Sequence, residues 1–179
     1  MTKRRWFGLN AGASNWLWLG AVVLVLDQWT KALIVERLQE EGDKIVLLPM
    51  LEFMRLHNEG AAFSLFSDAG GWQRWAFIFL GVGVSAGILV WLRHLPAKGQ
   101  ALLAAGLSLI LGGALGNVID RVLLGHVIDF IRVHYDPWNF NFPAFNVADT
   151  AITIGAALIV LDNLLELDRS RAKKKVTSS

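Results

Sequence analysis

Long uncharged stretches dominate the middle of the chain. Eighteen consecutive uncharged residues run from Trp75 to Leu92, and nineteen run from Ala101 to Ile119. A helix needs about 20 apolar residues to cross the hydrocarbon core of a bilayer. Each stretch therefore predicts one transmembrane helix.

Two further apolar stretches are interrupted by charge. Residues 16–26 are followed by Asp27 and Lys31, and residues 150–161 follow Asp149. Both extend to full spans if the charged groups face the bundle interior or lie near an interface. We predict four spans, near 16–36, 75–93, 101–121 and 147–166.

Pairs of glycines lie four residues apart in two of these spans. They are Gly83 with Gly87 and Gly112 with Gly116. Small residues at this spacing let neighbouring helix backbones approach closely, so we expect both pairs to be packing features.

The distribution of Lys and Arg predicts the orientation. Ten of the 17 lie in the two termini and the 93–100 loop. Because cytoplasmic segments are enriched in these residues, we expect both termini in the cytoplasm and segments 37–74 and 122–146 outside. Residues 44–53 are rich in apolar and β-branched types and predict short strands. This patch would either lie on the membrane surface and receive a lipid-modified partner, or cap the bundle.

Composition narrows the classes of function. With 54% hydrophobic residues and a mean hydropathy of +0.45, the chain is too apolar for an ordinary soluble domain. The net charge of +2 is explained by a basic C-terminal tail beside an anionic inner leaflet, so we expect no nucleic-acid partner. The sequence contains no cysteine, which excludes disulfides, thiolate metal sites and cysteine nucleophiles.

Ionisable residues inside spans cost about 2.5 to 3.5 kcal/mol each and therefore need a partner or a function. Asp27 and Lys31 are four residues apart in acid-before-base order, which favours a structural ion pair on one helix face. At the end of the third span, Asn117 and Asp120 share a face, and Arg121 is placed to clamp a carboxylate or a carbonyl. We expect these three residues to support a site.

Two aspartates lie where chemistry is expected, at the outer side of the spans. Asp129 follows a turn at Gly125 and has apolar neighbours, which raise the pKa of a carboxyl group. Asp149 lies in the first turn of the fourth helix, which Asn146 can cap. Alone, each aspartate is compatible with a structural role. Brought together, two carboxylates share a proton; one then takes a proton from water while the other donates to a carbonyl oxygen.

Other chemistries have weaker support. His57, His126 and His134 lie on the outer side, but no HExxH motif indicates a zinc site. Ser64 could serve as a nucleophile with Lys31 as its base, although nothing in the spacing of these two residues requires that pairing. Intramembrane charges also mark small transporters and proton pathways, which stay as an alternative, although no internal repeat supports them. A non-enzymatic docking protein is a third alternative.

Five sequence blocks together resemble lipoprotein signal peptidase, the signal peptidase II family of bacterial inner membranes. In chain order the blocks run from Asp27 to Lys31, Asn58 to Phe63, Gly116 to Arg121, Val127 to Phe130 and Phe145 to Asp149. Each block alone is a weak pattern. Their order within a four-span topology, over nearly the whole chain, makes the match specific.

The resemblance implies a membrane aspartic endopeptidase that removes signal peptides from prolipoproteins. Cleavage would fall on the amino side of a diacylglyceryl-modified cysteine, with Asp129 and Asp149 as the catalytic pair. Residues that line or support the substrate site carry over to Asn58, Gly60, Asn117, Asp120, Arg121 and Asn146, with Asp27 and Lys31 as a supporting pair. No metal or other cofactor is implied.

The implied fold is an all-α membrane protein. Its four transmembrane helices would carry a small extracytoplasmic β-cradle and a short amphipathic helix, within an outer subregion of about 40–74. The implied location is the bacterial inner membrane, multi-pass, with the active site at the outer, periplasmic face. We expect one integral membrane peptidase domain over residues 1–179, acting as a monomer on lipid-modified prolipoproteins among membrane lipids.

Overall fold

Four long helices form the body of the protein in the computed structural model, which describes residues 12–60, 71–96, 98–138 and 140–177. After a short 3-10 turn at Ser14–Trp16, the helices are α1 (Leu17–Arg37), α2 (Trp72–His94), α3 (Ala101–Leu123) and α4 (Val147–Thr177). Each includes a segment long and apolar enough to cross a membrane. The four predicted apolar helices are therefore confirmed. Helix α4 continues past its predicted end near 166 because the Arg, Ala and Lys residues of the tail are good helix formers.

Helix α3 is the centre of the bundle and packs against α1, α2 and α4. Glycines allow the close approach: a Cβ built on Gly112 would overlap the backbone of Gly20 in α1, and one on Gly106 would overlap that of Gly155 in α4. The packing role predicted for Gly112 is thus confirmed. The same prediction for Gly83 and Gly87 is wrong for the described residues, since both face open space on α2.

The outward surfaces of the helices carry large apolar side chains. Trp18 of α1 is 60% exposed, Phe79 of α2 is 72% exposed and Val160 of α4 is 59% exposed. Such a surface is unfavourable in water but suits contact with lipid chains. The bundle therefore has the surface of an integral membrane protein.

A four-stranded antiparallel sheet lies outside the spans. Its strands, in the order β1-β2-β3-β4, are β1 (Lys44–Leu48), β2 (Leu51–Asn58), β3 (Val127–Tyr135) and β4 (Phe140–Asn141). A 3-10 turn at Asp136–Trp138 precedes β4. The strands predicted in residues 44–53 are confirmed.

The sheet corrects two parts of the predicted fold. The class is not purely helical, and the sheet is not confined to residues 40–74, because β3 and β4 come from the segment between α3 and α4. Strand β3 forms there because its run of β-branched and aromatic residues pairs with β2. Residues 40–60 contain no helix, and residues 61–70 lie outside the described residues, so the short amphipathic helix stays a prediction.

One face of strand β3 packs on the helix bundle, and the other lines a cavity. In its buried first half, Ile128 and Phe130 pack with Ile34 and Leu38 at the end of α1. Because side chains alternate along a strand, Val127 and Asp129 point to the opposite face, where they line a cavity. Pairing with β2 places Asn58 opposite Val127, which lies two residues before Asp129 on the same face of β3.

Candidate active site

Asp129 and Asp149 line the same cavity, which has a volume of about 510 Å³. Asp129 comes from β3, and Asp149 comes from the first turn of α4. The cavity walls are formed by apolar side chains and by polar side chains of α3 and the β2 end; the lining residues include Asn58, Gly60, Asn117, Arg121, Phe142, Phe145 and Ile152. The fold thus brings together two acids that are 20 residues apart in the sequence.

Asp129 is 3% exposed and accepts a hydrogen bond on each carboxylate oxygen. The amide Nδ2 of Asn58 donates to Oδ2 at 2.9 Å, and the Nδ2 of Asn146 donates to Oδ1 at 2.8 Å. Burial raises the pKa of Asp129 to about 7, and the negative charge of Asp149 adds to the rise. The two amide donors act against this rise because they stabilise the ionised form. Asp129 therefore holds a proton more readily than an ordinary carboxyl group.

Asp149 is held by the start of its own helix and by α3. Asn117 Nδ2 donates to Asp149 Oδ1 at 2.8 Å. Asn146 and Asp149 form a reciprocal capping pair: the Asp149 backbone N–H donates to Asn146 Oδ1 at 2.9 Å, and the Asn146 N–H donates to Asp149 Oδ2 at 3.3 Å. The capping role predicted for Asn146 is confirmed, and its side chain also contacts the other aspartate.

Three asparagines are oriented by groups that can only donate. Asn58 Oδ1 accepts from the Gly60 N–H at 3.1 Å, Asn117 Oδ1 accepts from Lys31 Nζ at 3.1 Å, and Asn146 Oδ1 accepts from the Asp149 N–H. With its oxygen engaged in this way, each amide turns its NH₂ group toward an aspartate. The orientation of the donors around both carboxyls is therefore fixed by the surrounding structure.

Lys31 lies at the centre of a buried charge cluster. Its Nζ is 2.8 Å from Asp27 Oδ2 and 2.8 Å from Asp120 Oδ2. Asp27 also accepts from the Ala148 N–H at 2.9 Å, and Asp120 from the Ile128 N–H at 3.2 Å. The predicted Asp27–Lys31 pair is present, and Asp120 completes it as a triad that ties α1 and α3 to the starts of β3 and α4.

Gln28 belongs to this cluster but was not identified from the sequence. Its Nε2 donates to Asp120 Oδ1 at 2.9 Å and to the Gly116 carbonyl oxygen at 3.3 Å. Gln28 follows Asp27 directly within the first sequence block, and this position was the available signal. A glutamine next to an intramembrane acid is itself a costly polar group that needs partners.

Arg121 contacts the β2 end of the cavity. Its Nη2 donates to the Gly60 carbonyl oxygen at 3.1 Å, and its guanidinium lies 4.8 Å from the ring centroid of Phe77. The structure thus places Arg121 on a carbonyl group, one of the two partners expected from the sequence. Together with Asn58, it fixes the Gly60 backbone at the cavity wall.

The described residues considered for other chemistries do not line the cavity of the two aspartates. The rings of His57 and His126 stack with centroids 3.9 Å apart, and His134 lies 3.7 Å from Glu52. Burial and the neighbouring His57 lower the pKa of His126. Lys31 is committed to the charge cluster, and Ser64 lies outside the described residues.

These features define a polytopic membrane protein with two aspartates in a common cavity beside a small sheet. The family model described as signal peptidase (SPase) II matches residues 19–165. The chain belongs to the signal peptidase II family, a family of peptidases.

Curated relatives and solved structures agree with this assignment. The chain is 47% identical to lipoprotein signal peptidase of Pseudomonas aeruginosa over 151 residues, which cover 84% of this chain and 88% of the relative. It is 50% identical to lipoprotein signal peptidase of Acinetobacter baumannii over 161 residues, or 89% of each chain. A bacterial membrane enzyme solved by the in meso method at 2.3 Å resolution is similar with a TM-score of 0.73 and 29% identity, over 87% of this chain and 91% of that one.

Proposed function

We propose that this protein is a membrane aspartic endopeptidase that removes signal peptides from prolipoproteins. It cleaves on the amino side of a diacylglyceryl-modified cysteine, with Asp129 and Asp149 as the catalytic pair. The family supports the reaction class, and the names of the relatives support prolipoproteins as substrates. This assignment favours the peptidase over a transporter or proton pathway.

The observation that carries the proposal is the common cavity of the two aspartates, with amide N–H donors directed at both carboxyls. Hydrolysis by direct attack of water between two carboxyl groups needs one carboxylate to accept a proton from water and one carboxylic acid to polarise the substrate carbonyl. We assign the carboxylic acid to Asp129, whose pKa is raised to about 7. Asp149 supplies the carboxylate.

The reaction proceeds in two proton-balanced steps. Water attacks the scissile carbonyl carbon as Asp149 takes one of its protons, while Asp129 gives its proton to the carbonyl oxygen. The resulting tetrahedral diol returns a proton to Asp129 as the carbon–nitrogen bond breaks, and Asp149 gives its proton to the leaving nitrogen. The products are a signal-peptide carboxylic acid and a cysteine with a free amino group, and both aspartates regain their initial states.

The supporting residues then have separate roles. Asn58, Asn117 and Asn146 hold the two carboxyls in place, while Gly60 and Arg121 shape the cavity wall. Asp27, Lys31 and Asp120 position Asn117 and the start of α4. Apolar lining residues such as Phe142, Ile152 and Ile154 suit a substrate that enters from lipid.

The family and its bacterial relatives support a position in the bacterial inner membrane, and the Lys and Arg distribution supports both termini in the cytoplasm. The sheet then forms an extracytoplasmic cradle, and the aspartates lie at the periplasmic face, where a lipid-anchored cysteine would hold the scissile bond. We propose a single membrane peptidase domain that works as a monomer among membrane lipids and uses no cofactor.

Asparagine substitutions test the catalytic pair. Asp129→Asn and Asp149→Asn should each reduce cleavage of a diacylglyceryl-modified peptide at least about 1,000-fold, because each removes one of the two proton-transfer groups and keeps the side-chain volume. Cleavage is measured by mass spectrometry with the purified protein in detergent micelles.

Asp168→Asn is the matched control, because Asp168 is an exposed residue of the same helix as Asp149. It should retain wild-type activity, and thermal unfolding should show all three variants folded. Substantial cleavage by either folded active-site variant would contradict the proposed pair.

A further inference from the structure

The segment between β4 and α4 continues alongside β3. The Phe142 N–H donates to the Val133 carbonyl at 2.9 Å. Phe145 exchanges two hydrogen bonds with Ile131: Ile131 N–H donates to the Phe145 carbonyl at 2.8 Å, and Phe145 N–H donates to the Ile131 carbonyl at 3.1 Å. One edge of segment 142–145 is therefore occupied by β3.

Ala144 takes no part in this pairing. The pairing with β3 shifts by one residue between Asn141–His134 and Phe145–Ile131, so the segment contains a β-bulge that leaves one residue out of the ladder. Among the described residues, neither backbone group of Ala144 has a hydrogen-bond partner. Ala144 and the preceding Pro143 are half-buried and line the cavity that holds the two aspartates.

A half-buried N–H and C=O pair without a protein partner fits an edge that pairs with a ligand backbone. Pro143 has no N–H, which disfavours regular pairing of this segment with a further strand. Asn146 donates to Asp129 and lies two residues after Ala144, a distance of about 7 Å along an extended chain.

We propose that segment 142–145 binds the substrate main chain by strand addition. The N–H and C=O of Ala144 pair with a substrate residue about two positions from the scissile bond. The ligand class is an extended peptide recognised through its backbone, which allows the side chains at the paired position to vary. This inference rests on the proposed peptidase function and assigns the residue that aligns the substrate with Asp129 and Asp149.

The test combines a protein variant with modified substrates. Ala144→Pro removes the Ala144 N–H, while Ala144→Ser keeps both backbone groups and is the control. Each substrate is a diacylglyceryl-modified peptide that carries a single N-methyl group. Across the set, this group is moved through the three residues on either side of the scissile bond, but the scissile amide itself is not methylated. The readouts are kcat and KM for the full-length protein in micelles.

Ala144→Pro should lower kcat/KM about 3- to 10-fold, chiefly through KM, and Ala144→Ser, which keeps the backbone N–H, should lose less than Ala144→Pro. One N-methyl position, about two residues from the scissile bond, should cost about 10-fold with the wild type and much less with Ala144→Pro, because the pairing is already weakened. Equal penalties in both enzymes at every position would overturn the proposal.

If Ala144→Pro does not fold, the wild-type scan alone decides. A single sensitive position about two residues from the scissile bond supports strand addition, and a flat scan overturns it. Failure of the proposed function gives a different result, since the wild type would then not cleave the unmethylated lipid-modified peptide.

Discussion

Replacing Lys31 by Met tests whether the buried charge cluster stabilises the bundle. Lys31 Nζ contacts Asp27 and Asp120, and the three side chains are at most 4% exposed. Met keeps an unbranched chain of similar length but carries no charge. The variant leaves two carboxylates buried without their cation.

Removing one partner of a buried ion pair costs about 3 to 5 kcal/mol, because the remaining charge stays buried and uncompensated. Two carboxylates lose the same cation here, but each keeps a backbone N–H donor, from Ala148 for Asp27 and from Ile128 for Asp120. We therefore expect Lys31→Met to lower the free energy of unfolding by about 3 to 5 kcal/mol.

The assay is reversible unfolding of the purified protein in detergent micelles at neutral pH. Lys44→Met is the control, because Lys44 is 53% exposed and lies 3.4 Å from Glu52, which also pairs with Arg132. Lys44 is the solvent-exposed partner of this pair, and buried Glu52 keeps Arg132, so Lys44→Met should cost less than about 1 kcal/mol. The reasoning is refuted if Lys31→Met costs no more than Lys44→Met.

A neutral version of the cluster separates charge from packing. Combining Lys31→Met with Asp27→Asn and Asp120→Asn removes all three charges while keeping oxygen acceptors for the Ala148 and Ile128 N–H groups. Because no buried charge is left unpaired, the triple variant should recover much of the stability that the single variant loses. A triple variant less stable than Lys31→Met would show that packing or hydrogen bonding, and not charge, dominates.

Two further predictions follow from the site and the bundle. Asn58→Ala removes an N–H donor that favours ionised Asp129, so the pKa of Asp129 should rise above about 7. The upper pH limit of kcat/KM should then move to higher pH, because Asp129 acts in its protonated form. A move to lower pH would contradict this assignment. Gly112→Leu places a side chain against the Gly20 backbone and should lower the free energy of unfolding by at least about 1 to 3 kcal/mol. Gly83→Leu is the control and should cost little, because Gly83 faces open space in the described structure. Equal losses would argue against the observed α1–α3 contact.

The four spans could be predicted from the sequence because their determinants are local. A run of about 20 uncharged residues can satisfy its backbone in a membrane only as a helix, so length and composition suffice. The Asp27–Lys31 pair could also be predicted from the sequence, because a spacing of four residues fixes the separation of the two side chains on one helix. The capping role of Asn146 depends only on its place at the start of α4.

Strand β3 and the surroundings of the aspartates depend on pairings between distant segments. Val127–Tyr135 becomes a strand because β2 is available to pair with it, more than 60 residues earlier in the chain. Asp120 joins Lys31 only when α1 and α3 pack together, and the close approach at Gly20 and Gly112 permits that contact. No local pattern encodes either contact.

The sequence by itself determined that the chain is a membrane protein of four helices with two aspartates in suggestive places. Only the tertiary structure decided that both aspartates line one cavity and that three asparagines direct N–H groups toward them. The reason is physical: a hydrogen bond fixes direction as well as distance, and the direction of an amide depends on its neighbours in space. The unpaired backbone of Ala144 likewise exists only because the pairing with β3 shifts by one residue there.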